Sequence, residues 1–411
     1  MEKIIIGLLF VFLVLFPFGQ LTKIPLNFLN LPEVHLYLTD VVLFLLVLGW
    51  GIWRFSIDKK KYHLPPLAKP IFLFIVLAGL SLAVNSPLFS GLPAGRQGRE
   101  VGVGFLYLLR WIFYAGLYFI LFDLKEKSRH EMSRIRDQRS ELSWLKKDWS
   151  GFLIIIGSTV AIFALIQYFL WPNLKALEVL QYDPHFYRAV GTFLDPGFTG
   201  IILVLTLILL INNGLYRKSN LLWMIIVYIA LALTYSRASW LAFFVGMTVI
   251  AFYKKSWKLF LFITGILALT WFLIPQPAGE GGKLTRVYTI QSRFQNYQQA
   301  VKIIKERPIL GVGFNTLRYY QKKQGFLTEE NWQTNQAGAG LDNSWLFILA
   351  TTGILGFVSY LWLGWKALGR FKNILVVSSL TAVFIHSFFL NSLFYPWVMA
   401  WLWLLLAMEN K

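Results

Sequence analysis

Residues 198–255 read FTGIILVLTLILLINNGLYRKSNLLWMIIVYIALALTYSRASWLAFFVGMTVIAFYKK, and this stretch decides the fold. It holds three apolar segments, at about 198–213, 221–235 and 238–253, separated only by short turns that carry arginine or lysine. Segments of this length can cross the hydrocarbon core of a bilayer. They are expected to be helical, because backbone groups that face lipid must form their hydrogen bonds within the segment.

The composition of the whole chain is typical of a membrane protein. Of 411 residues, 57% are hydrophobic and only 14% are charged, against roughly 25% charged residues in an average soluble domain. The net charge of +19 comes from short basic clusters between apolar runs, so we interpret it as a topology signal and expect no nucleic-acid partner. The chain has no cysteine, which excludes disulfides, thiolate metal sites and a cysteine nucleophile.

The pattern continues in both directions and predicts an all-α integral membrane protein with about 12 transmembrane helices. The predicted spans are 3–18, 37–53, 70–86, 103–124, 152–171, 198–213, 221–235, 238–253, 259–275, 343–365, 373–390 and 392–408. The first of these has the basic start of a signal peptide but lacks a small-residue cleavage site, so we interpret it as a retained helix.

Loop charges predict the orientation. Counted over the termini and the short loops, 23 Lys and Arg residues fall on one side and six on the other. By the positive-inside rule, both termini are cytoplasmic in the inner (cytoplasmic) membrane. The loop at 87–102 is then external and is interpreted as a flexible insertion.

A long loop at 276–342, between spans nine and ten, is also external on this topology. Its middle, TRVYTIQSRFQNYQQAVKIIKERP, predicts an amphipathic helix that ends before Pro308. The predicted apolar face is formed by residues three and four apart, namely Val287, Ile290, Phe294, Tyr297, Val301 and Ile304.

Several arginines fall on the predicted outer side. Arg188 lies just before span six, and Arg237 forms the tight turn between spans seven and eight, where a snorkelling arginine is the alternative. Arg286 and Arg293 are seven residues apart on the amphipathic helix, hence on one face, which is either solvated or functional. Arg110 lies inside span four, where it either contacts a ligand or forms a structural ion pair.

Arginines at this depth suit a membrane-anchored diphosphate. Guanidinium groups bind phosphate oxygens with forked donors and stay charged at physiological pH. They would also stabilise the charge that develops on a diphosphate leaving group without a metal. The sequence contains no DXD motif and its carboxylates are scattered, so neither a metal nor another cofactor is required.

Three residues on the same side are candidates for a base. Asp342 lies where the long loop enters span ten, with Asn343 beside it; it either accepts a proton or caps the helix. His386 falls near the external end of span eleven, as a proton shuttle or a hydrogen-bonded bundle histidine. Asp195 before Pro196 is most simply a turn residue.

Four motifs resemble those of a known family. They are RAVGTFLDPGFTG (188–200), SRASWLAF (236–243), SRFQNYQQAVKIIKERPILGVGFNTL (292–317) and DNSWLFILATTGILGF (342–357). Their order and span placement resemble the O-antigen ligase-like superfamily, which includes lipopolysaccharide O-antigen ligases, O-antigen and exopolysaccharide polymerases and protein O-oligosaccharyltransferases. We therefore expect one polytopic domain over 1–411 with an O-antigen ligase-like core at about 185–365.

The resemblance implies a GT-C-like membrane glycosyltransferase that moves an undecaprenyl-diphosphate-linked glycan at the outer face of the membrane. It assigns diphosphate binding to Arg188, Arg237 and, less directly, Arg293. Ligases of the family have a histidine before the asparagine where this chain has Asp342 and Asn343. This departure argues against a lipid A core ligase and favours a polymerase-like member, with Asp342 as substitute base.

Two alternatives remain open from the sequence. A transporter or flippase of lipid-linked oligosaccharides would also use cationic sites, but its charged residues should line a path through the whole bilayer. The acceptor, which is another glycan, a lipid A core or a protein hydroxyl, is not specified, because one domain serves all three.

Overall fold

Helices form most of the described chain. A computed structural model describes residues 1–24, 34–58, 62–85, 94–134, 150–176, 185–212, 218–275, 288–328, 332, 341–370 and 373–408. The α-helices in these ranges are α1 (Glu2–Leu15), α2 (Leu38–Ile52), α3 (Ala68–Val84), α4 (Ala94–Arg134), α5 (Ser150–Leu170), α6 (Pro196–Asn212), α7 (Lys218–Leu233), α8 (Arg237–Tyr253), α9 (Trp257–Leu273), α10 (Tyr288–Glu306), α11 (Leu317–Lys323), α12 (Ser344–Arg370), α13 (Ile374–His386) and α14 (Pro396–Met408). Two short strands, β1 (Lys23–Ile24) and β2 (Leu36–Tyr37), pair antiparallel.

Apolar helices occur at every predicted span. Within the described ranges, five helical stretches are long and apolar enough to cross a membrane, namely Glu2–Thr22, Leu38–Ile57, Arg99–Ser128, Ser150–Leu170 and Ser344–Arg370. Seven further apolar helices have 10 to 17 residues. The all-helical membrane class is therefore confirmed. Twelve crossings, the external position of the long loop and the orientation of the termini stay predictions.

The predicted flexible loop at 87–102 is helical over its second half, because α4 begins at Ala94. Arginine, glutamine and glutamate are good helix formers, and each glycine costs a helix only about 1 kcal/mol relative to alanine. The apolar helix that follows provides the continuation that outweighs this cost. The glycines were therefore misleading as a loop signal.

Helix α6 is the centre of the bundle. Nearly every side chain from Pro196 to Ile211 is buried, and α6 packs against α5, α7, α8 and α13. A side chain at Gly157 of α5 would clash with Thr206 of α6, so this glycine lets the two helices approach closely. The carboxylate of Asp195 begins α6 by accepting hydrogen bonds from the backbone N–H groups of Gly197 at 2.7 Å and Phe198 at 2.8 Å.

Helix α12 is broken at Gly353, which has a φ of 63°. Near the break, the carbonyls of Ala350 and Thr351 accept hydrogen bonds from the N–H groups of Val312 and Gly313 at 3.0 and 3.1 Å. These donors belong to the segment 308–313, which follows α10 in the chain. Backbone groups that the break leaves without helical partners are therefore paired by this neighbouring segment.

Carbonyl groups of the same segment accept hydrogen bonds from α12 and from α3. The N–H of Ile354 donates to the carbonyl of Pro308 at 2.8 Å. Ser81 Oγ of α3 donates to the carbonyl of Leu310 at 2.6 Å and lies 2.7 Å from that of Thr351. These contacts hold the connection between α10 and α11 against the bundle, and so fix where α10 lies.

The predicted amphipathic helix is confirmed as α10, but the predicted face is partly wrong. Ala300 and Ile303 are buried, and they pack with Phe347 and Ala350 of α12. Phe294 and Val301, which were placed on the apolar face, are 61% and 43% exposed. The periodicity of α10 is compatible with two apolar faces. The face that contains Ala300 is the one buried against α12.

Candidate active site

Arg293 of α10 lies near polar residues from four other parts of the chain. It lies within electrostatic range of Arg237, Asp342, Asp195 and His386. These four residues come from the beginning of α8, the residues before α12, the residue before α6 and the end of α13. Helix α10 therefore brings a guanidinium group to a place where the ends of four bundle helices meet.

A hydrogen bond from the next turn of α10 fixes this position. The hydroxyl of Tyr297 donates to the carbonyl of Phe388 at 2.6 Å. Phe388 lies in the turn after α13, which also accepts from Asn343 Nδ2 at 3.2 Å. The turn thus ties α10 and the beginning of α12 to the end of α13.

Asn343, and not Asp342, caps α12. Asn343 Oδ1 accepts hydrogen bonds from the N–H groups of Trp345 at 2.9 Å and Leu346 at 3.0 Å. The Asn343 side chain thus satisfies two of the helix-end donors that need a partner. The alternative interpretation of Asp342 as the cap is wrong, which leaves its carboxylate available for other contacts.

Asp342 is held in a left-handed conformation, with φ of 49°. Such a backbone is uncommon for a residue other than glycine, and it is tolerated best by Asn and Asp. Asn296 Nδ2 of α10 donates to Asp342 Oδ2 at 3.4 Å. Burial raises the pKa of Asp342, while the positive charge of Arg293 opposes this shift.

Arg237 is the first residue of α8 and is partly exposed. Ser236 caps the helix, since its Oγ accepts from the N–H of Ser239 at 3.3 Å. Arg188, which is only 8% exposed, stabilises the turn before α8. Arg188 Nε donates to the carbonyl of Thr234 at 2.9 Å and thereby supports the turn that leads to Arg237.

His386 is fully buried, and each ring nitrogen contacts a serine hydroxyl. Nε2 lies 3.2 Å from Ser239 Oγ, and Nδ1 lies 2.6 Å from Ser392 Oγ. Ser239 Oγ is in turn 2.8 Å from Ser236 Oγ, the cap of α8. His386 therefore links the Arg237 turn to the turn after α13, the arrangement of a hydrogen-bonded bundle histidine.

Asp195 caps α6 and lies within electrostatic range of Arg188 and Arg293. Burial raises its pKa, and hydrogen bonds from its backbone partners and the charges of Arg188 and Arg293 oppose the shift. Its second carboxylate oxygen is 4.0 Å from His185 Nε2. The turn role expected from the sequence agrees with this placement.

Arg110 belongs to a different cluster. Its guanidinium lies 2.7 Å from Asp40 Oδ2 and donates to the carbonyl of His35. Tyr114 donates its hydroxyl proton to Asp40 Oδ1 at 3.0 Å, and the ring of Tyr107 lies 5.0 Å from the guanidinium carbon. Of the two interpretations left open for Arg110, the structural ion pair describes these contacts.

The candidate residues thus fall into three groups. Arg237, Arg293, Asp342, Asn343 and His386 are brought together, with Arg188 supporting them, while Arg110 is bound elsewhere. Arg286 lies outside the described residues. Asn296, Tyr297 and Ser239 were missed from the sequence, although Asn296 and Tyr297 follow Arg293 by one helical turn, a spacing that signals a shared face.

The arrangement suits transfer from an anionic leaving group. Two guanidinium groups near each other favour a multiply charged anion between them. The partly buried carboxylate of Asp342 is a candidate proton acceptor, because burial raises its pKa towards neutral pH. Groups of the kind needed for anion stabilisation and proton transfer therefore lie near one another, around Arg293.

A family model matches the part of the chain that contains most of these residues. Residues 221–361 match the family model described as O-Antigen ligase, a range that includes Arg237, Arg293, Asp342 and Asn343 and extends from α7 into α12. No curated protein matches the chain. The resemblance to the O-antigen ligase-like superfamily is confirmed for this part of the chain, which contains three of the four motifs.

Proposed function

We propose that this protein transfers a glycan from an undecaprenyl-diphosphate donor to a second glycan at the outer face of the cytoplasmic membrane, as a polymerase-like member of its family. The observation that carries the proposal is the position of Arg293, within electrostatic range of both Arg237 and Asp342. Two guanidinium groups that can bind a diphosphate therefore lie near one carboxylate that can accept a proton.

The proposed reaction assigns one role to each group. Asp342 accepts the proton of an acceptor hydroxyl, whose oxygen attacks the anomeric carbon of the donor sugar. The bond between that carbon and the diphosphate oxygen breaks, and the lipid diphosphate leaves with the electron pair. Arg237 and Arg293 stabilise the charge that develops on it. Arg188 and His386 hold the Arg237 turn in place.

Asp342 stands where ligases of the family have a histidine, and this difference favours a polymerase over a lipid A core ligase. A carboxylate is an ordinary proton acceptor for a sugar hydroxyl, and burial brings its pKa closer to neutral pH. The clustering of the arginines with Asp342, rather than along the length of the bundle, argues against transport as the main activity.

The test is an assay of the full chain in lipid with an undecaprenyl-diphosphate oligosaccharide. Longer glycans together with released undecaprenyl diphosphate are the expected products. Release without longer glycans would indicate another acceptor, such as a lipid A core or a protein. Movement of the oligosaccharide across the bilayer without turnover would replace the proposal with a flippase.

Matched variants connect this activity to the site. Arg237→Ala and Arg293→Ala should each abolish glycan transfer while the protein inserts and folds normally. Lys254→Ala, at the other end of α8, and Lys302→Ala, on α10 itself, remove exposed cations and should leave the rate unchanged. Full activity in Arg237→Ala would make that residue a snorkelling arginine.

A further inference from the structure

A cation-lined recess lies at the end of the bundle that carries the C-terminus of α12. It has a volume of about 580 Å³ and is lined by Pro66, Leu67, Trp365, Lys366, Gly369 and Arg370. Lys366 and Arg370 are one helical turn apart and therefore share a face of α12. In the described part of the chain, neither forms an ion pair with a carboxylate.

An apolar groove shares Trp365 with this recess. The groove has a volume of about 640 Å³ and runs between α12, α13 and α14. Apart from Thr381, its lining is almost entirely aliphatic and aromatic, with residues such as Leu368, Leu380 and Leu406. Its volume falls within the roughly 300–1,000 Å³ that is usual for small-molecule sites.

Two glycines of α12 face open space, one in each part of the site. A side chain added at Gly364, which lines the groove, or at Gly369, which lines the recess, would meet nothing within 4 Å. Trp365 lies between them and is 75% exposed. Tryptophan at such a position is typical of the membrane interface.

We propose that the recess and the groove form one binding site for an anionic phospholipid. The headgroup phosphate lies between Lys366 and Arg370, and one acyl chain lies in the groove past Trp365. Charge complementarity supports this occupant, because two basic side chains adjoin an almost entirely apolar groove. The predicted cytoplasmic location of this end also fits, because anionic lipids are concentrated in that leaflet.

The other candidate occupant is the isoprenoid tail of the lipid carrier. Its diphosphate would have to lie at the Arg293 end of the bundle, where Trp345, which follows Asn343 by two residues, lines the groove. That arrangement leaves Lys366 and Arg370 without a role in binding. The two occupants therefore differ in whether these two charges affect the affinity.

Native mass spectrometry of the full chain in mild detergent tests the charges. Phosphatidylglycerol, phosphatidylcholine with the same acyl chains, and undecaprenyl monophosphate are added at equal concentrations. We expect one phosphatidylglycerol to be retained at least fivefold more than phosphatidylcholine, since each basic residue near a membrane surface contributes about fivefold. The double variant Lys366→Gln/Arg370→Gln should lose this preference.

The control is Lys254→Gln/Lys255→Gln, which removes two exposed cations from the turn after α8. It should keep the preference for phosphatidylglycerol. Equal retention by wild type and Lys366→Gln/Arg370→Gln would overturn the proposal. Displacement of phosphatidylglycerol by undecaprenyl monophosphate, with no effect of the double variant, would assign the groove to the carrier tail instead.

A second variant tests the groove without changing charge. Gly364→Phe fills the channel where the added side chain meets no neighbour, so it should fold and should reduce phosphatidylglycerol retention at least fivefold. Gly265→Phe, at an equally open position on α9, should have no effect. Unchanged retention in Gly364→Phe would show that no acyl chain lies in the groove.

Discussion

The hydroxyl of Tyr297 donates a 2.6 Å hydrogen bond to the carbonyl of Phe388, across 91 residues of sequence. This bond joins α10, which carries Arg293, to the turn that also accepts from Asn343. It therefore couples the position of a phosphate-binding candidate to that of the candidate base at Asp342.

We expect Tyr297→Phe to reduce glycan transfer by tenfold or more while changing stability little. Loss of one hydrogen bond costs only about 1 kcal/mol of unfolding free energy, whereas a displacement of about 1 Å in a reacting group can cost 100-fold in rate. Tyr320→Phe is the control, since its hydroxyl contacts Glu306 at the far end of α10. Equal rates for the two variants would show that the Phe388 contact does not position the site.

Asp342→Asn should slow transfer by about 100-fold if Asp342 is the base. Asparagine keeps the shape of the side chain, so the thermal unfolding midpoint should stay close to that of the wild type. Asn343→Ala should behave differently, because removing a helix cap costs about 1 kcal/mol of stability. Normal turnover in Asp342→Asn would assign proton transfer to another group.

The rate should fall on the acid side as Asp342 becomes protonated. A base acts only when deprotonated, and burial raises the pKa of Asp342, so the decline should begin at a higher pH than for an aspartate of ordinary pKa near 3.9. Asn296→Ala removes a hydrogen bond to the carboxylate, which raises the pKa further and should move the decline to still higher pH. A pH–rate profile that is identical in Asn296→Ala and wild type would contradict this assignment.

Arg110→Ala should destabilise the protein instead of acting on the reaction. It leaves Asp40, which is 9% exposed, without its charged partner, and breaking a buried pair costs about 3–5 kcal/mol. Arg110→Met/Asp40→Asn removes both charges and should restore most of the lost thermal stability and, with it, the transfer rate. A stable but inactive Arg110→Ala would instead point to a direct contact with substrate.

Gly353→Ala should lower the thermal unfolding midpoint. The added methyl group meets the backbone of Ile309 and Leu310, and the backbone of Gly353, with φ of 63° and ψ of −169°, lies in a region essentially confined to glycine that costs another residue about 1–3 kcal/mol. Gly364→Ala lies on the same helix with nothing within 4 Å, so it should be neutral or slightly stabilising. Equal midpoints would show that the break in α12 tolerates a side chain.

From the amino-acid sequence alone, we could predict the apolar helices, an amphipathic helix within 285–308 and the resemblance to the O-antigen ligase-like superfamily. These features are local: a segment in lipid must pair its own backbone, an amphipathic helix repeats every three or four residues, and the four motifs are continuous in the chain. Arg237, Arg293 and Asp342 could be identified as candidates for the same reason, since each lies inside such a motif.

The contacts of these residues depend on helix packing, which the sequence does not reveal. Asp342 and Asn343 are equally good caps by residue type, and the geometry at the beginning of α12 assigned that role to Asn343. Arg110 and Asp40 are 70 residues apart, and the face of α10 that is buried depends on its contact with α12. Partners so distant in the chain leave no periodic signal, because their proximity results from packing between helices and not from the conformation of either one.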